Sequence, residues 1–394
     1  MGNAKVSVST ISFDKVNAFI EKLSQPIVDN YINMETELMV QVADYIAKNK
    51  SIMVDNIVHW KALQLAKLGG LTKQNIITIS KYSGLSKNEV SGLFESVVKK
   101  GLIKDESILA LASKAGALKE VVPLMQSAVT KVLGAAAKDT LTTFNKMNNS
   151  ILKSTGSQYV KIINDVSTQV ISGTATVDKA LSQAVRAFND EGLTAFIGKN
   201  GNRYSPEAYA KMVIQANAKN AVTKSQDIRY AESGVNYVEV DAYGGARPKC
   251  AQDQGYIYSL NDNAAPIQDL DGNTIEPRAW GSTSYGEADG LLGINCGHSR
   301  WAFVPGFSTQ ATKHEDINRK ENTKQYEERQ QQRYYERNTR NAKREKALLE
   351  ESGASKKDVQ MAQAKISRWQ AKNRDFVKST NGTRYYANER IYVK

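Results

Sequence analysis

Residues 290–299 have the sequence Gly290-Leu291-Leu292-Gly293-Ile294-Asn295-Cys296-Gly297-His298-Ser299. They end a longer segment, 241–306, that holds ten of the 26 glycines and four of the seven prolines of the chain. So long a segment without regular structure is unusual unless it is functional or tied down. We therefore expect specific side-chain interactions to hold it in a compact domain.

The candidate metal ligands of this segment are Cys250, Cys296 and His298, which include both cysteines of the chain. A Cys-x-His pair on a short loop and a cysteine from elsewhere give three of the four ligands that a structural zinc ion prefers. Asp253, His314 or water could supply the fourth. A bound zinc ion would explain how a glycine-rich segment stays ordered.

Other interpretations of the same residues remain open. The two cysteines could be small buried hydrophobic residues, with His298 donating to a backbone carbonyl. Cys296 and His298 could instead form a nucleophilic pair, which needs a sharply bent loop. A metal-dependent hydrolase around Cys250 and His298 would need an open coordination position and a general base.

Helical patterns surround the glycine-rich segment. Apolar residues at helical spacing from Val177 to Phe188 end at Gly192, and Ser205-Pro206 is a helix start, with Gly234 closing that helix. Val235 to Val240 alternates like a strand. These patterns predict a predominantly helical α+β fold. We divide it into a helical N-terminal domain (1–150), a small α+β domain with glycine-rich loops (151–310) and a basic helical or extended arm (311–394).

Residues 76–100 allow a second functional class, a DNA-binding regulatory protein. Ser86 and Glu89 have the spacing of a capping box, so a short helix, a Ser83-Gly84-Leu85-Ser86 turn and a second helix would resemble a helix-turn-helix. The second helix offers Glu89 and Glu95 on its polar positions, which would repel phosphate. An ordinary helical hairpin is the simpler interpretation.

The positive charge is concentrated near the C-terminus. The chain has a net charge of +12, and residues 311–394 contain 21 Lys and Arg against 12 Asp and Glu. Such an arm is typical of a solvated helical face, or of a surface that binds DNA phosphates or an acidic protein. The candidate contact residues are Arg333, Arg337, Arg340, Lys343, Arg344 and Trp369.

Several other classes of protein are not favoured. The polar stretch 1–14 lacks the apolar core of a secretory signal, no apolar run reaches 18 residues, and two cysteines make no disulfide framework. No phosphate-binding loop, dinucleotide fingerprint or His-Glu-x-x-His motif occurs. The aspartates near the glycine-rich segment are interpreted as turn formers. Outside the cysteine and histidine residues, the sequence therefore offers no motif that predicts an enzyme.

Three blocks in fixed order carry a resemblance to a known family: Gly245-Ala246-Arg247-Pro248-Lys249-Cys250, Asp253-Gln254-Gly255 and Asn295-Cys296-Gly297-His298-Ser299. With the helical half that precedes them, they resemble the phage minor capsid protein 2 family, relatives of the Mu-F-like head-morphogenesis proteins. The resemblance covers about residues 35–310. The chain departs from the family at three positions. The family commonly has His in place of Tyr243 and of Cys250, and Arg in place of Gly297.

The resemblance implies a low-copy structural protein of a tailed-phage head, made in the host bacterial cytoplasm and placed in the head interior or at the portal vertex. Its implied partners are the portal or major capsid protein, with double-stranded DNA as a further candidate. It would act in head assembly and in genome packaging or delivery. Zinc is the one candidate cofactor. The residues expected to fix the compact domain are Arg247, Pro248, Asp253, Gln254, Gly255, Asn295 and Ser299.

Overall fold

The structure is a computed structural model that describes residues 14–118, 126–261 and 265–391. Its helices are α1 (Asp14–Ala47), α2 (Lys50–Asp55), α3 (Ile57–Ala66), α4 (Leu68–Lys114), α5 (Gln126–Ile171), α6 (Val177–Glu191), α7 (Pro206–Ser233), α8 (Pro248–Ala251), α9 (Arg319–Glu351) and α10 (Lys356–Ser379). Its strands are β1 (Phe196–Ile197), β2 (Arg203–Tyr204), β3 (Tyr237–Val240), β4 (Ile257–Ser259), β5 (Ile267–Gln268), β6 (Thr274–Ile275), β7 (Arg278–Ala279) and β8 (Arg300–Phe303). The predicted, predominantly helical α+β fold is confirmed.

The chain forms two compact units, each assembled from three segments. Unit 1 comprises Met1–Gln25, Glu89–Leu141 and Met212–Arg329, and unit 2 comprises Pro26–Asn88, Thr142–Lys211 and Gln330–Lys394. The predicted boundary between residues 150 and 151 falls inside α5. The division at 150 and 310 stays a prediction about how the chain is organised.

Unit 1 contains a four-stranded sheet of order β7-β4-β3-β8. Strand β3 pairs antiparallel with both β4 and β8, so Val238 lies opposite Tyr258 on one side and Ala302 on the other. Strand β7 pairs parallel with β4. The strand predicted at 235–240 is therefore the centre of the sheet.

The core of unit 1 brings the sheet together with two helices and the glycine-rich loops. Ile108 and Leu109 of α4 and Tyr230 of α7 are buried in one cluster with sheet residues and both cysteines. Burial of each large apolar side chain stabilises the folded state by about 2 kcal/mol. The glycine-rich segment is thus part of the hydrophobic core.

Unit 2 is built mainly from helices. Tyr31 is 1% exposed, packs edge-on against Phe144 at 5.2 Å and donates to Asn148. Tyr159 donates to both the backbone and the side-chain oxygen of Gln64, which is fully buried. Buried hydroxyl groups that are hydrogen-bonded in this way fix the helices in one register.

Two helices of the middle region confirm their predicted limits. Helix α6 starts after Thr176, whose hydroxyl accepts from the N–H of Lys179, and ends before Gly192 at φ 63°. Helix α7 starts at Pro206, with Ser205 accepting from Ala208, and ends before Gly234. Both ends follow from local capping chemistry.

Both interpretations of residues 76–100, the helix-turn-helix and the ordinary helical hairpin, are wrong. These residues lie inside the single helix α4, and no turn interrupts it at Gly84. Glycine costs a helix about 1 kcal/mol, and the buried face continues through Ser86, which is 1% exposed and accepts from Asn30. The spacing of a capping box therefore occurs here without a helix start.

The apolar spacing of the sequence from Leu118 to about Asn148 predicts one helix. Helix α5 instead extends to Ile171, and the predicted start around Pro123 lies outside the described residues. The basic arm is helical: α9 and α10 form a hairpin in which Tyr335 contacts Phe376 and Lys365 pairs with Glu345. Across the residues with described structure, none of the helices is long and apolar enough to cross a membrane.

A buried cysteine and histidine cluster

The predicted ligands Cys250, Cys296 and His298 lie together in the core of unit 1. Cys250 lies on the short helix α8, which Pro248 begins, and the other two residues lie on the loop that enters β8. That loop bends because Leu292 and Asn295 adopt left-handed φ angles of 55° and 57°. Asparagine tolerates this conformation better than most residues. The sharp bend that a facing Cys296–His298 pair requires is therefore present.

The three side chains are buried and point toward one another. Their possible ligand atoms all lie within 4.8 Å of one another, and each residue is at most 4% exposed. The Sγ of Cys296 is 3.3 Å from Nδ1 of His298. Both cysteines are free thiols.

Gln254 fixes the orientation of the imidazole. Its Oε1 accepts the backbone N–H of Tyr243 at 3.3 Å, which identifies that atom as the carbonyl oxygen. The Nε2 of His298 lies 3.0 Å from the same oxygen and must carry a proton to donate to it. In the neutral ring, the lone pair is then on Nδ1 and faces the sulfur atoms.

Three donors point at the sulfur atoms. The backbone N–H groups of Leu292 and His298 donate to Cys296 at 3.2 and 3.4 Å. Arg247 donates to Cys250 at 3.5 Å and also to the carbonyls of Gly290 and Ile294. The arginine thereby ties α8 to the loop.

The two thiols have pKa values shifted in opposite directions. The pKa of Cys296 lies below that of an ordinary thiol, mainly because Cys250 donates a hydrogen bond to it, and the same contact raises the pKa of Cys250. Burial lowers the pKa of Lys219, whose Nζ donates to the carbonyl of His298 at 3.4 Å. Burial also raises the pKa of Asp241 to about 7. The cluster thus lies beside one basic and one acidic side chain that are both buried.

Two glycines of the loop allow backbone segments to approach closely. A Cβ on Gly297 would lie 2.2 Å from the hydroxyl oxygen of Tyr243, and one on Gly290 would lie 1.8 Å from the carbonyl oxygen of Ser284. Any side chain at either position would force the loop apart. This close packing explains why so many glycines occur in an ordered segment.

The remaining motif residues hold turns around the cluster. Asp253 accepts from the backbone and hydroxyl of Ser284, and Asp241 accepts from the N–H of Ser299 at 2.8 Å. Gly255, at φ 74°, leaves room for the backbone of His314. Asp269 accepts from two backbone N–H groups of its own turn, as expected of a turn former.

Neither predicted side-chain candidate for a fourth ligand reaches the cluster. Asp253 faces Ser284, and His314 lies 2.8 Å from the carbonyl of Gln254 and 2.9 Å from Arg319. In the described residues, the group that could hold a metal ion consists of Cys250, Cys296 and His298 alone. The expectation that Asp253 or His314 completes the set is wrong, because both are held by other partners.

The candidate contact residues of the basic arm fall into two sets. Arg340 pairs with Glu207, Arg344 pairs with Glu35 at 2.9 Å, and Lys343 donates to the carbonyl of Glu389. These three cations stabilise unit 2 from within. The second set faces outward: Arg333 and Arg337 are exposed, and half-buried Trp369 packs against Tyr334.

Sequence reasoning missed three residues around the cluster. Tyr243 packs against His298 at 4.7 Å between ring centroids, and Lys219 and Asp241 add buried charge. Lys219 lies on α7, far from the glycine-rich blocks, and no local pattern distinguishes it.

Comparison with known proteins identifies the class as phage structural proteins. The family model of phage minor capsid protein 2 matches residues 17–378, nearly the whole chain. The chain belongs to the phage minor capsid protein 2 family.

Two curated relatives are described as structural proteins of phages. A structural protein of Lactococcus phage LL-H is 27% identical over 379 residues, which is 93% of this chain and 98% of the relative. A structural protein of Lactococcus phage mv4 is 37% identical over 108 residues, which is 27% of this chain and 85% of the relative. No solved structure matches the chain.

Proposed function

We propose that this phage structural protein is a minor head component that docks at the portal vertex and acts in head assembly, without an enzymatic activity of its own. The observation that carries the proposal is an exposed set of tyrosines on unit 2. Tyr334, Tyr385 and Tyr386 are 45%, 57% and 63% exposed. Tyrosine and arginine are enriched at protein–protein interfaces.

These tyrosines share one surface because the final segment is tied to α9. Gln332 donates to the carbonyl of Thr383 at 2.8 Å, and Asn388 donates to Glu336 at 3.1 Å. Tyr385 and Tyr386 lie between these two attachments. With the exposed Arg333 and Arg337 of α9, the three tyrosines define what we call the tyrosine surface.

The charge distribution supports a protein partner over DNA. Arg340 and Arg344, two of the candidate contact residues, form ion pairs with Glu207 and Glu35, so these cations are neutralised inside unit 2. A DNA-binding surface needs its cations directed at phosphates. We propose the portal as the partner, rather than the shell, because the family resemblance implies a portal position.

A structural role also fits the cysteine cluster. Cys296 is 4% exposed and His298 is 1% exposed, so a substrate could reach them only if the loop opened. The hydrogen bonds of His298 instead connect the loop before β8 with Gln254, which follows α8, and with Lys219 of α7. This arrangement stabilises one shape of unit 1.

The test is binding of the tagged full-length chain to the portal protein and, separately, to the major capsid protein of the same phage. We expect portal binding, and we expect the double variant Tyr385→Ser, Tyr386→Ser to weaken it at least about tenfold, equivalent to about 1.4 kcal/mol. Tyr285→Ser is the matched control, because Tyr285 is 41% exposed but lies in unit 1.

Three results would count against the proposal. Binding to the shell protein without portal binding would remove the portal position. Equal loss of binding in the Tyr285 control would remove the tyrosine surface as the contact. Salt-sensitive binding to duplex DNA, lost in Arg333→Ala with Arg337→Ala, would favour DNA as the partner.

A further inference from the structure

We propose that the Sγ atoms of Cys250 and Cys296 and the Nδ1 atom of His298 bind one zinc ion in the core of unit 1, with a water molecule as the fourth ligand. This inference does not depend on the proposed docking function. It rests on the geometry of the three side chains, on the hydrogen bonds that orient them and on the charges around them.

The distances fit a tetrahedral ion. Zinc bonds of about 2.3 Å to sulfur and about 2.0 Å to nitrogen place neighbouring ligand atoms roughly 3.5–4 Å apart. The three candidate atoms lie within 4.8 Å of one another, and the Cys296–His298 pair is 3.3 Å apart. Small side-chain rotations would therefore complete the coordination without moving the backbone.

The imidazole is already oriented as a ligand. The Nε2 proton of His298 donates to Oε1 of Gln254, and this leaves Nδ1 directed at the sulfur atoms. Metal-bound histidines commonly donate their second ring N–H to a carbonyl or carboxylate oxygen, which fixes both the tautomer and the ring. Gln254 would be that outer partner.

The surroundings favour the ionised thiols that a metal needs. Two backbone N–H groups donate to Cys296, and the guanidinium of Arg247 donates to Cys250. A pair of soft thiolates with one imidazole selects zinc over the hard cations magnesium and calcium.

Without a metal, Cys250 keeps its S–H proton, and its Sγ lies 3.3 Å from the carbonyl oxygen of Gly290. Zinc binding would displace that proton, and the thiolate would then lie near the carbonyl oxygen. Arg247 donates to both of these atoms and would offset their repulsion. The arginine is therefore a positioning residue of the proposed site.

The test is zinc content of the full-length chain, loaded with zinc and dialysed into metal-free buffer, by plasma mass spectrometry. We expect about one zinc ion per chain and at least a fivefold lower content in Cys296→Ser and His298→Gln. His314→Gln is the matched control and should keep its zinc, because His314 is also buried in unit 1 but lies outside the cluster. X-ray absorption of the wild-type protein should show two sulfur ligands and two light ligands.

Several outcomes would overturn the proposal. The first is a zinc content below roughly a tenth of an equivalent in the wild-type chain. The second is an unchanged zinc content in Cys296→Ser, and the third is a coordination shell of light atoms only. If the cluster variants fail to fold, cobalt loading of the wild-type chain decides. A thiolate-to-cobalt charge-transfer band would support the site, and its absence would contradict it.

Discussion

The hydroxyl oxygen of Tyr243 occupies the space that a side chain at Gly297 would need. A Cβ on Gly297 would lie 2.2 Å from this oxygen, and the N–H of Gly297 donates to it at 3.1 Å. The two residues therefore restrict each other, because a tyrosine at 243 leaves room only for glycine at 297.

This contact predicts a destabilising variant and its rescue. Gly297→Ala should lower the free energy of unfolding by about 1–3 kcal/mol, because the added methyl group overpacks the loop. Adding Tyr243→Ala should recover part of that loss, since the smaller side chain vacates the space. Urea denaturation of both single variants and the double variant measures the coupling. Additive effects would contradict the proposed contact.

The continuity of α4 predicts a stabilising variant at Gly84. Nothing lies within 4 Å of a Cβ added there, and the backbone is helical. Gly84→Ala should raise the free energy of unfolding by up to about 1 kcal/mol, because alanine loses less backbone freedom in a helix. A clear loss of stability would instead indicate the turn that the sequence suggested.

The Arg344–Glu35 ion pair should be important for the stability of unit 2. The Arg344 side chain is 11% exposed and that of Glu35 is 5% exposed, and Glu35 also accepts the N–H of Leu193. Either Arg344→Ala or Glu35→Ala should cost about 3 kcal/mol, because the remaining charge is left buried. The control Arg333→Ala, at an exposed position of α9, should change stability by less than about 0.5 kcal/mol. A similar change in all three variants would argue against an internal role for this pair.

Asp105 should make the stability of unit 1 depend on pH. Burial raises its pKa from 3.8 to about 6, although it accepts from Tyr230, Gln226 and the N–H of Ala302. The folded state therefore binds a proton that the unfolded state has already released. The contribution of Asp105 to stability falls as the pH rises from about 4 to 6, by at most about 3 kcal/mol.

The variant Asp105→Asn tests whether Asp105 makes stability fall as the pH rises. The variant cannot ionise, so its loss of stability between pH 4.5 and 7.5 should be smaller than that of the wild-type chain by roughly 1–2 kcal/mol. Denaturant titrations of both proteins at the two pH values provide the comparison. An identical pH dependence would show that Asp105 keeps an ordinary pKa in the folded state.

Local chemistry made part of this fold predictable. The limits of α6 and α7 follow from Thr176, Ser205 and the glycines that end them, because capping depends on a few neighbouring residues. The length of α4 does not follow in this way. Its continuity past Gly84 depends on burial of Ser86 beside Asn30, which is distant in sequence.

The candidate site could likewise be predicted only in part from the sequence. Residue types alone identified Cys250, Cys296 and His298, since soft ligands are rare in this chain. The roles of Gln254, Tyr243 and Lys219 depend on the tertiary structure. The ion pairing of the basic arm was equally unpredictable, because Glu35 lies near the opposite end of the sequence from Arg344.

Quantitative mass spectrometry of purified virions and of their assembly precursors tests most directly whether the chain is a minor head component at the portal vertex. We expect the protein in both kinds of particle, at a copy number far below that of the major capsid protein and close to that of the portal. Its absence from both, or a copy number matching the shell, would show that the chain is not such a component.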